Sequence, residues 1–324
     1  MSSKTPYILD TRDTKIIETI CDNARLSYSQ IGKLTNISKD SVRERMKNMQ
    51  DYDVILSFIP FINYRAIGLN LFHVFLKFHP ILKNEKKFIE HLKKDHSISS
   101  ITRVSGEYDL ELQILARSKF EIQNKIKDLK KMKSEDIGQV DIVTSKNQSL
   151  YSMQTTKDYK KNYFNINPEC EKVKIDDLDL KILKMLSNNC REKLTEMAVV
   201  TKTSEDVLRH RIKSLLRKKV ILGFYTRTNK HRLGLSSYIL LLKLDKRALK
   251  KLTLADEPNI FYVKECSGNY NAIINFYAKT NSELVKLIDG LRMNFGKYLE
   301  NMELLILLER HYFSPLPQEF KLDS

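Results

Sequence analysis

Two segments of the chain, 166 residues apart, carry paired arginines among short polar side chains. Arg43 and Arg45 in the first segment recur as Arg209 and Arg211 in the second. A guanidinium group binds phosphate oxygens, and serine, asparagine and glutamate side chains hydrogen-bond to the edges of nucleic-acid bases. Each segment is therefore a candidate for contact with a nucleic acid, provided that one structural element presents these side chains together.

An apolar stripe predicts that a helix presents each set. After a capping serine, three apolar residues recur at helical spacing in both segments, namely Val42, Met46, Met49, Leu208, Ile212 and Leu215. If the stripe faces a core, a rotation of 100° per residue turns the polar residues outward. The predicted contact residues are Lys39, Asp40, Ser41, Arg43, Glu44, Arg45, Lys47 and Asn48, and in the second segment Asp206, Val207, Arg209, His210, Arg211, Lys213 and Ser214.

Two of these arginines have a second possible role. Arg45 and Arg211 lie near the core stripe, where an arginine can pack its aliphatic part and pair with an acid of the first helix. Asp13 and Asp179 are the candidate partners. Contact with phosphate and a role within the fold are both open for this pair.

Two shorter helices precede each of these helices. Asp10 caps the first, and Ser27 opens the second, with Ile31 and Leu34 expected to face inward. Residues 35–37 form a connection short enough for the tight turn of a helix-turn-helix, the element that places a helix in the major groove of DNA.

The remainder of each copy predicts a mixed domain. A strand rich in β-branched residues at 54–58 predicts a winged or strand-backed form of the helix-turn-helix. The elements after it read strand, helix, strand, strand, helix, strand, at 71–78, 84–94, 98–104, 108–116, 118–132 and 137–144. This is the order of a ferredoxin-like domain.

The chain is a tandem duplication. Residues 9–78 align with 175–244 without a gap, and about 20 of 70 positions are identical. At an offset of 162 the match resumes, with 105–108 against 267–270. The predicted α+β architecture is a winged helix-turn-helix followed by a ferredoxin-like (βαββαβ) domain, twice. The expected ranges are 1–60, 61–145, a linker at 146–174, 175–228 and 229–324.

These parts, in this order, resemble the Lrp/AsnC family of archaeal and bacterial transcription regulators. The family joins an N-terminal helix-turn-helix to a small-molecule-responsive ferredoxin-like (RAM) domain. The residues that carry the resemblance are Leu9-Asp10-x-x-Asp13, its repeat Ile175-Asp176-x-x-Asp179, Arg25, Arg191 and Gly106-x-Tyr108-Asp109. The glycine usual before the wing is replaced by Asp53 and by Lys219.

The resemblance implies an effector site at the Gly-x-Tyr-Asp turn, where an amino acid or a similar small molecule binds between domains. The residues it implies are Gly106, Glu107, Tyr108 and Asp109, and in the second copy Gly268, Tyr270 and Asn271. A hairpin glycine with Asp109 accepting turn amides is the alternative. Asn271, which replaces the aspartate, puts a ligand site in the second copy in doubt.

The resemblance also implies that ferredoxin-like domains pair through their sheets. Pairing within the chain, as a pseudo-dimer, and pairing between chains, as a homo-oligomer, are both open. The two helix faces differ at Ser41 against Val207 and at Glu44 against His210. We therefore expect double-stranded DNA with two unlike half-sites as the partner, and stronger non-specific binding by the second unit, which carries 11 basic and 7 acidic residues over 175–226 against 8 and 8 over 9–60.

Two other functions remain alternatives. Siroheme decarboxylases share the architecture but carry tryptophan- and histidine-bearing segments that serve the substrate, and this chain has no tryptophan. Its scattered histidines form no H-x-x-x-H or H-E-x-x-H pair, which argues against a metal site. A low-specificity chromatin-coating protein would share every DNA-binding feature. We expect a protein that is not an enzyme and has neither a metal nor another cofactor.

Composition agrees with this assignment but does not decide it. The 324 residues carry a net charge of +16, which favours a polyanionic partner. Four cysteines without a C-x-x-C pair argue against a disulfide scaffold. The sequence has no run of 18 apolar residues, so no membrane span is predicted. A cytoplasmic protein that does not contact membranes is expected.

Overall fold

The computed structural model describes residues 7–79, 84–132, 136–151, 163–166, 171–250, 252 and 259–321. The first copy contains α1 (Thr11–Asp22), α2 (Tyr28–Thr35), α3 (Lys39–Asp51), β1 (Ile55–Ile62), β2 (Asn70–Phe78), α4 (Glu85–Leu92), β3 (Ile98–Ser105), β4 (Leu110–Ala116), α5 (Lys119–Met132), β5 (Ile137–Tyr151) and β6 (Tyr163–Ile166). The second contains α6 (Asp177–Asn188), α7 (Leu194–Thr201), α8 (Glu205–Arg217), β7 (Ile221–Thr228), β8 (Ser236–Leu244), α9 (Lys246–Lys250), β9 (Ile260–Ser267), β10 (Ala272–Ala278), α10 (Asn281–Phe295) and β11 (Leu299–Phe313).

The helical units begin with matching N-terminal caps. We call α1–α3 with β1 head 1, and α6–α8 with β7 head 2. The carboxylate of Asp10 accepts the amide of Asp13, whose own carboxylate accepts the amide of Asp10, and Asp176 and Asp179 repeat this capping box. Such pairs satisfy backbone amides that a helix start leaves without partners. The predicted caps at Asp10, Ser27 and Ser38 are confirmed.

The cores of the heads follow the predicted stripe with one exception. Every residue of the stripe is buried in both copies, namely Val42, Met46, Met49, Leu208, Ile212 and Leu215. The expectation for Leu34 is wrong, because its side chain is 68% exposed. Ile31 and Thr35, four residues apart, take the inward row of the short helix α2 and leave Leu34 on its outer side.

The turn that leads into each wing has a left-handed residue. Asp53 has φ 56° and Lys219 has φ 55°, at the positions where the family usually has glycine. An L-residue tolerates this conformation at a modest cost when it occurs singly. The departure from glycine therefore leaves the turn intact in both heads.

The two heads share one core and one small sheet. Strand β1 pairs antiparallel with β7, with Phe58 opposite Thr226 and Pro60 opposite Phe224. A single apolar cluster contains residues of both heads and also Leu316 from the segment after β11. The heads are therefore packed as one unit.

The two ferredoxin-like domains close into a single barrel. Body 1 comprises β2, α4, β3, β4, α5 and β5, and body 2 comprises β8, α9, β9, β10, α10 and β11. The strand order is β2-β4-β3-β11-β8-β10-β9-β5, and β5 pairs with β2 again, so eight strands form a closed ring. Pairs β3–β11 and β5–β9 join the bodies. The bodies thus pair within the chain, and a closed sheet leaves none of these eight strands as a free edge.

Part of the expected linker belongs to this barrel. Strand β5 continues from the predicted end at residue 144 through Tyr151 and pairs with β9, and β6 adds to it. Leu150 and Tyr151 are buried, which explains why the strand extends there. The rest of the expected linker up to residue 170 lies outside the described residues, apart from β6.

Side chains fill the interior of the barrel. Apolar and aromatic residues from both bodies form one buried cluster, including Phe75, Val104, Tyr108, Val143, Ile239, Leu241, Tyr262, Ile273 and Leu305. The opposite faces of the strands pack against the helices in a separate cluster for each body. The barrel is therefore a packed core that both bodies share.

Candidate nucleic-acid interface

Helix α3 presents most of its predicted contact residues to solvent. Its exposed side chains are Lys39, Asp40, Arg43, Glu44 and Lys47, with Ser41, Arg45 and Asn48 half-buried. Helix α8 repeats the pattern, with Asp206, Val207, Arg209, His210 and Lys213 exposed and Arg211 and Ser214 half-buried. The buried stripe of each helix thus leaves a polar face that can meet a DNA groove.

Arg45 and Arg211 hold their helices to the start of the head. Arg45 Nη1 lies 2.7 Å from Asp10 Oδ2 and 2.9 Å from Asp13 Oδ1. Hydrogen bonds to these two carboxylates raise the pKa of Arg45. Arg211 Nη1 lies 2.7 Å from Asp176 Oδ2 and 3.4 Å from Asp179 Oδ2. Arg45 therefore links α3 to the capping box at the start of α1, and Arg211 links α8 to the capping box at the start of α6.

A second pair of arginines joins the heads to each other. Arg191 Nη1 donates to the backbone oxygens of Ala24 and Leu26 at 2.6 and 2.7 Å, and its guanidinium lies over the Phe58 ring. Its counterpart Arg25 lies over the Phe224 ring. The family motif residue after the first helix is thus a contact between heads.

The glycines of the predicted effector turns lie where the bodies meet. Gly106 has φ +138°, and a Cβ atom there would lie 2.7 Å from Leu304 O of body 2. Gly268 has φ +148°, and its Cβ would lie 2.6 Å from Ile142 O of body 1. Each turn therefore needs glycine both for its backbone conformation and for close approach to the other body.

The other residues of these turns already have partners within the chain. Tyr108 is buried and donates from its hydroxyl to Asp141 Oδ2 at 2.6 Å, and burial raises the pKa of that tyrosine. Asn269 Nδ2 donates to the other oxygen of Asp141. Lys77 pairs with Glu107 at 2.8 Å. Asp141 of body 1 thus joins Tyr108 of the copy-one turn to Asn269 of the copy-two turn.

Asp109 and Asn271 occupy equivalent places at the ends of strands. Asp109 Oδ2 accepts the amide of Phe78 at 2.8 Å. Asn271 accepts the amide of Leu244 at 2.9 Å and donates to the Leu244 carbonyl at 2.7 Å. The side-chain amide of Asn271 thus bonds to the same strand end as the carboxylate of Asp109, and the donor to Asp109 belongs to the end of β2 and not to its own hairpin turn. Tyr270, next to Asn271, is buried.

A buried polar triad inside the barrel was missed from the sequence. Lys264 Nζ lies 2.8 Å from His73 Nε2, and His73 Nδ1 lies 2.7 Å from Glu111 Oε1. The three residues are at most 2% exposed. Lone polar residues within otherwise apolar strands were the available signal, but such residues also occur on solvent-facing strands.

Burial sets the protonation of the triad. It lowers the pKa of His73 to about 4, with Lys264 acting in the same direction. It also lowers the pKa of Lys264 to about 8. Burial acts to raise the pKa of Glu111, but His73 and Lys264 hold it below its usual value. At neutral pH the triad is a carboxylate, a neutral histidine and an ammonium group.

The described part of the chain contains neither a cluster of metal-binding side chains nor a membrane-spanning helix. No group of three or more His, Cys, Asp or Glu side chains is arranged to hold a metal ion. No helix within the described ranges is both long and apolar enough to span a membrane.

Comparison with known proteins identifies the family. Residues 9–55 match the model of a winged helix-turn-helix DNA-binding family. The HTH-type transcriptional regulator Ptr1 of Methanocaldococcus jannaschii is 32% identical over 120 residues, which are 35% of this chain and 79% of Ptr1. The HTH-type transcriptional regulator LrpA of Pyrococcus abyssi is 30% identical over 120 residues, 36% of this chain and 84% of LrpA.

One similarity spans both copies. The siroheme decarboxylase NirDL, in complex with an iron-uroporphyrin III analogue, superposes with a TM-score of 0.62 over 95% of this chain and 94% of its own. The sequences are 10% identical, so the likeness is one of fold. It agrees with the duplicated architecture of two heads and two paired bodies. On the identity and coverage of the regulators, the chain belongs to the Lrp/AsnC family of HTH-type transcriptional regulators.

Proposed function

We propose that this regulator binds double-stranded DNA through α3 and α8 and reads an operator with two unlike half-sites. The observation that carries the proposal is the antiparallel pairing of β1 with β7, which ties two different contact helices into one unit. A regulator with two identical heads reads a palindrome, because the symmetry of the site follows that of the protein. Heads that differ at the contact face require a site that differs in its halves.

The contact faces suggest separate tasks for their residues. Arg43 and Lys47, and likewise Arg209 and Lys213, are exposed cations suited to phosphate contacts, which position the protein. Glu44 can accept from the amino group of cytosine, whereas a histidine at the equivalent position cannot supply that carboxylate. Specificity should therefore differ most at the bases that these two positions meet.

Arg45 and Arg211 have a supporting role in this proposal. Both guanidinium groups are engaged by carboxylates of the capping boxes. An arginine fixed in this way orients the helix that carries it, and its single positive charge is already outweighed by the two carboxylates that it binds. We assign their effect on DNA affinity to the position of the helix.

Regulation by a small molecule is the second part of the proposal. Glu107 and Asp109 are the carboxylates of the copy-one turn and can hold an ammonium group, whereas copy two has Asn269 and Asn271 there. The turns contact the opposite body through Gly106 and Gly268. A ligand at the copy-one turn would therefore act on the contact between the bodies.

An enzyme of the same fold is the alternative from a different class. The regulators that support the present proposal are 30% and 32% identical, whereas the decarboxylase is 10% identical. Titration with iron-uroporphyrin III, followed by its visible absorption, distinguishes the two. A regulator without tetrapyrrole chemistry gives no saturable spectral change, and a stoichiometric change would favour the enzyme.

Selection of bound sequences from a random duplex pool tests the proposal. The full-length protein is used at about 150 mM salt, where phosphate attraction is partly screened. We expect enrichment of a motif with two unlike halves. A perfect palindrome would contradict the assignment of unlike heads, and binding without enrichment, with a steep salt dependence, would indicate a chromatin-like coat.

A further inference from the structure

A cavity of about 420 Å³ lies between the heads, body 1 and the C-terminal segment. Its volume falls within the range of roughly 300–1,000 Å³ that is usual for small-molecule sites. Ser57 and Ile59 of β1, His96 of body 1, Asn188 at the end of α6, and Arg227 of β7 contribute to its wall. One cavity thus contacts both heads and a body, apart from the predicted effector turns.

The cavity contains a cation, Arg227, that has no carboxylate partner among the residues that the structure describes. Within the described part of the chain, the polar contact of Arg227 is a long one of 3.5 Å to Ser57 Oγ, and its guanidinium lies 4.3 Å from the centroid of the Phe313 ring. Arg310 lies over the same ring at 5.5 Å. Burial, and then Arg310, lower the pKa of Arg227 to about 10. Arg310 acts on Glu111, whose pKa it lowers, so Arg227 is the guanidinium group that has no carboxylate partner among the described residues.

Asp95 and Glu319 are the carboxylates in the wall of the cavity, and neither is paired with Arg227. Asp95 is bound by Lys125 at 2.7 Å and by the amide and hydroxyl of Ser97. Glu319 is exposed, and its charge acts on Lys184, whose pKa burial lowers. Neither supplies the counter-charge for Arg227, so an anion from solution can.

The rest of the wall suits an organic molecule. Tyr312, Phe313, Pro315 and Pro317 provide apolar surface. Hydroxyl and amide groups from the heads and the C-terminal segment provide hydrogen-bond partners for the polar end of a ligand. The C-terminal segment is itself held to head 2, because Gln318 Nε2 donates to Lys184 O and Asn188 Oδ1 at 3.0 Å.

The cation belongs to one copy alone. At the offset of 166 the counterpart of Arg227 is Phe61, which is buried in the apolar cluster of the barrel. The duplication therefore preserves the strand but not the charge. The site is accordingly specific to head 2.

We propose that this cavity binds a small organic carboxylate with an apolar body, its carboxylate on Arg227, and that occupancy couples the heads to body 1. The coupling to DNA rests on the proposed function, whereas the binding itself does not. A ligand that contacts both heads and a body stabilises the arrangement that it fits, and DNA affinity changes through that arrangement.

Thermal unfolding without DNA tests the binding step separately. The probes are 4-methyl-2-oxopentanoate, phenylpyruvate and L-leucine, with inorganic phosphate as an anion that lacks an apolar body, all at equal ionic strength. We expect at least one organic probe to raise the Tm of the full-length protein by about 2 °C or more. The absence of any rise, or an equal rise with phosphate, would overturn the proposal.

Two variants separate the site from general effects of anions. Arg227→Met removes the charge and keeps the aliphatic chain, and Arg292→Met is the control on α10, where the arginine side chain is 61% exposed. We expect the control to retain the ligand-induced shift and Arg227→Met to lose it while melting within about 2 °C of wild type without ligand. A retained shift in Arg227→Met would overturn the proposal. If Arg227→Met does not fold, Arg227→Lys replaces it. We expect Arg227→Lys to show a smaller ligand-induced rise in Tm than wild type, and the absence of any rise would contradict a charge contact at this position.

Measurement of DNA affinity with and without the active probe completes the test. A change of at least threefold in wild type, absent in Arg227→Met, supports the coupling. Unchanged DNA affinity alongside a ligand-induced rise in Tm overturns the coupling. Failure of DNA binding itself would contradict the proposed function and leave the thermal result standing.

Discussion

Lys264 of body 2 donates to His73 of body 1 across the closed barrel, at 2.8 Å between Nζ and Nε2. At the duplicated positions, His73 corresponds to Ile239, Glu111 to Ile273, and Lys264 to Thr102. The charged set therefore lies on one side of the pseudo-symmetric barrel. If body 2 paired with a second copy of itself, two lysines would be buried without a carboxylate, and this cost disfavours that pairing.

Removal of the lysine alone should be costly. Lys264→Met leaves Glu111 buried beside a neutral histidine, and loss of one partner of a buried ion pair typically costs about 3–5 kcal/mol. The matched variant H73I/E111I/K264T gives each position the residue of the other copy. We expect it to unfold at nearly the wild-type urea concentration. Equal destabilisation by both variants would contradict a compensating role for the charges.

The same triad predicts a dependence of stability on pH. The pKa of His73 is about 4 in the folded chain against an ordinary value of 6.5. The unfolded chain thus binds the proton first, so this contribution is complete above pH 6.5 and is lost as the pH falls toward 4. Between pH 7 and pH 5 we expect a loss of about 2 kcal/mol, measured by urea unfolding. Glu111 and Lys264 face the ring, so the triple variant that lacks all three groups is the control and should lose less.

Substitution of the turn glycines should weaken the contact between bodies. Gly106→Ala and Gly268→Ala place a methyl group within 2.7 Å of a backbone oxygen of the opposite body, at positive φ. We expect each to destabilise the protein by about 1–3 kcal/mol. Gly290→Ala is the control, because nothing lies within 4 Å of its Cβ position in α10, and it should stabilise by about 0.5–1 kcal/mol. Urea unfolding that ranked the three alike would count against the close approach.

The arginines between the heads should have unequal effects. Arg191→Met removes two hydrogen bonds to backbone oxygens, and we expect a loss of about 2–3 kcal/mol. Arg25→Met removes a contact with an aromatic ring and a guanidinium nitrogen that has no hydrogen-bond partner in the described structure, so its cost should stay under about 1 kcal/mol. Equal losses in urea unfolding would contradict the asymmetry.

Local signals predicted the heads well. Contacts between residues a few positions apart determine the caps at Asp10 and Ser38 and the apolar stripe of α3. Such contacts can be predicted directly from a sequence pattern. The prediction that Leu34 faces inward was wrong because a helix of eight residues buries only a narrow row of side chains. Periodicity alone does not indicate which apolar residue lies outside that row. The order of strands and helices in the bodies was predictable for the same local reasons.

Long-range features were not predictable in this way. Whether a sheet edge pairs within the chain or with a second chain depends on strands far apart in the sequence, as for β3 and β11. Lys264 and His73 are 191 residues apart, and each is unremarkable in its own strand. Arg227 is a candidate ligand-binding residue only because it lines a cavity formed by four separate parts of the chain. These contacts needed the three-dimensional structure.

The most direct test of the proposal that the two heads read different half-sites is a variant in which α3 carries the outward residues of α8. The variant S41V/E44H/N48S gives α3 the residues that α8 has at Val207, His210 and Ser214. Bound sequences are selected from the same random duplex pool with wild type and variant. We predict two unlike half-sites for wild type and a near-palindrome of the second half-site for the variant, whereas an identical motif for both proteins would contradict readout of the operator by these two helix faces.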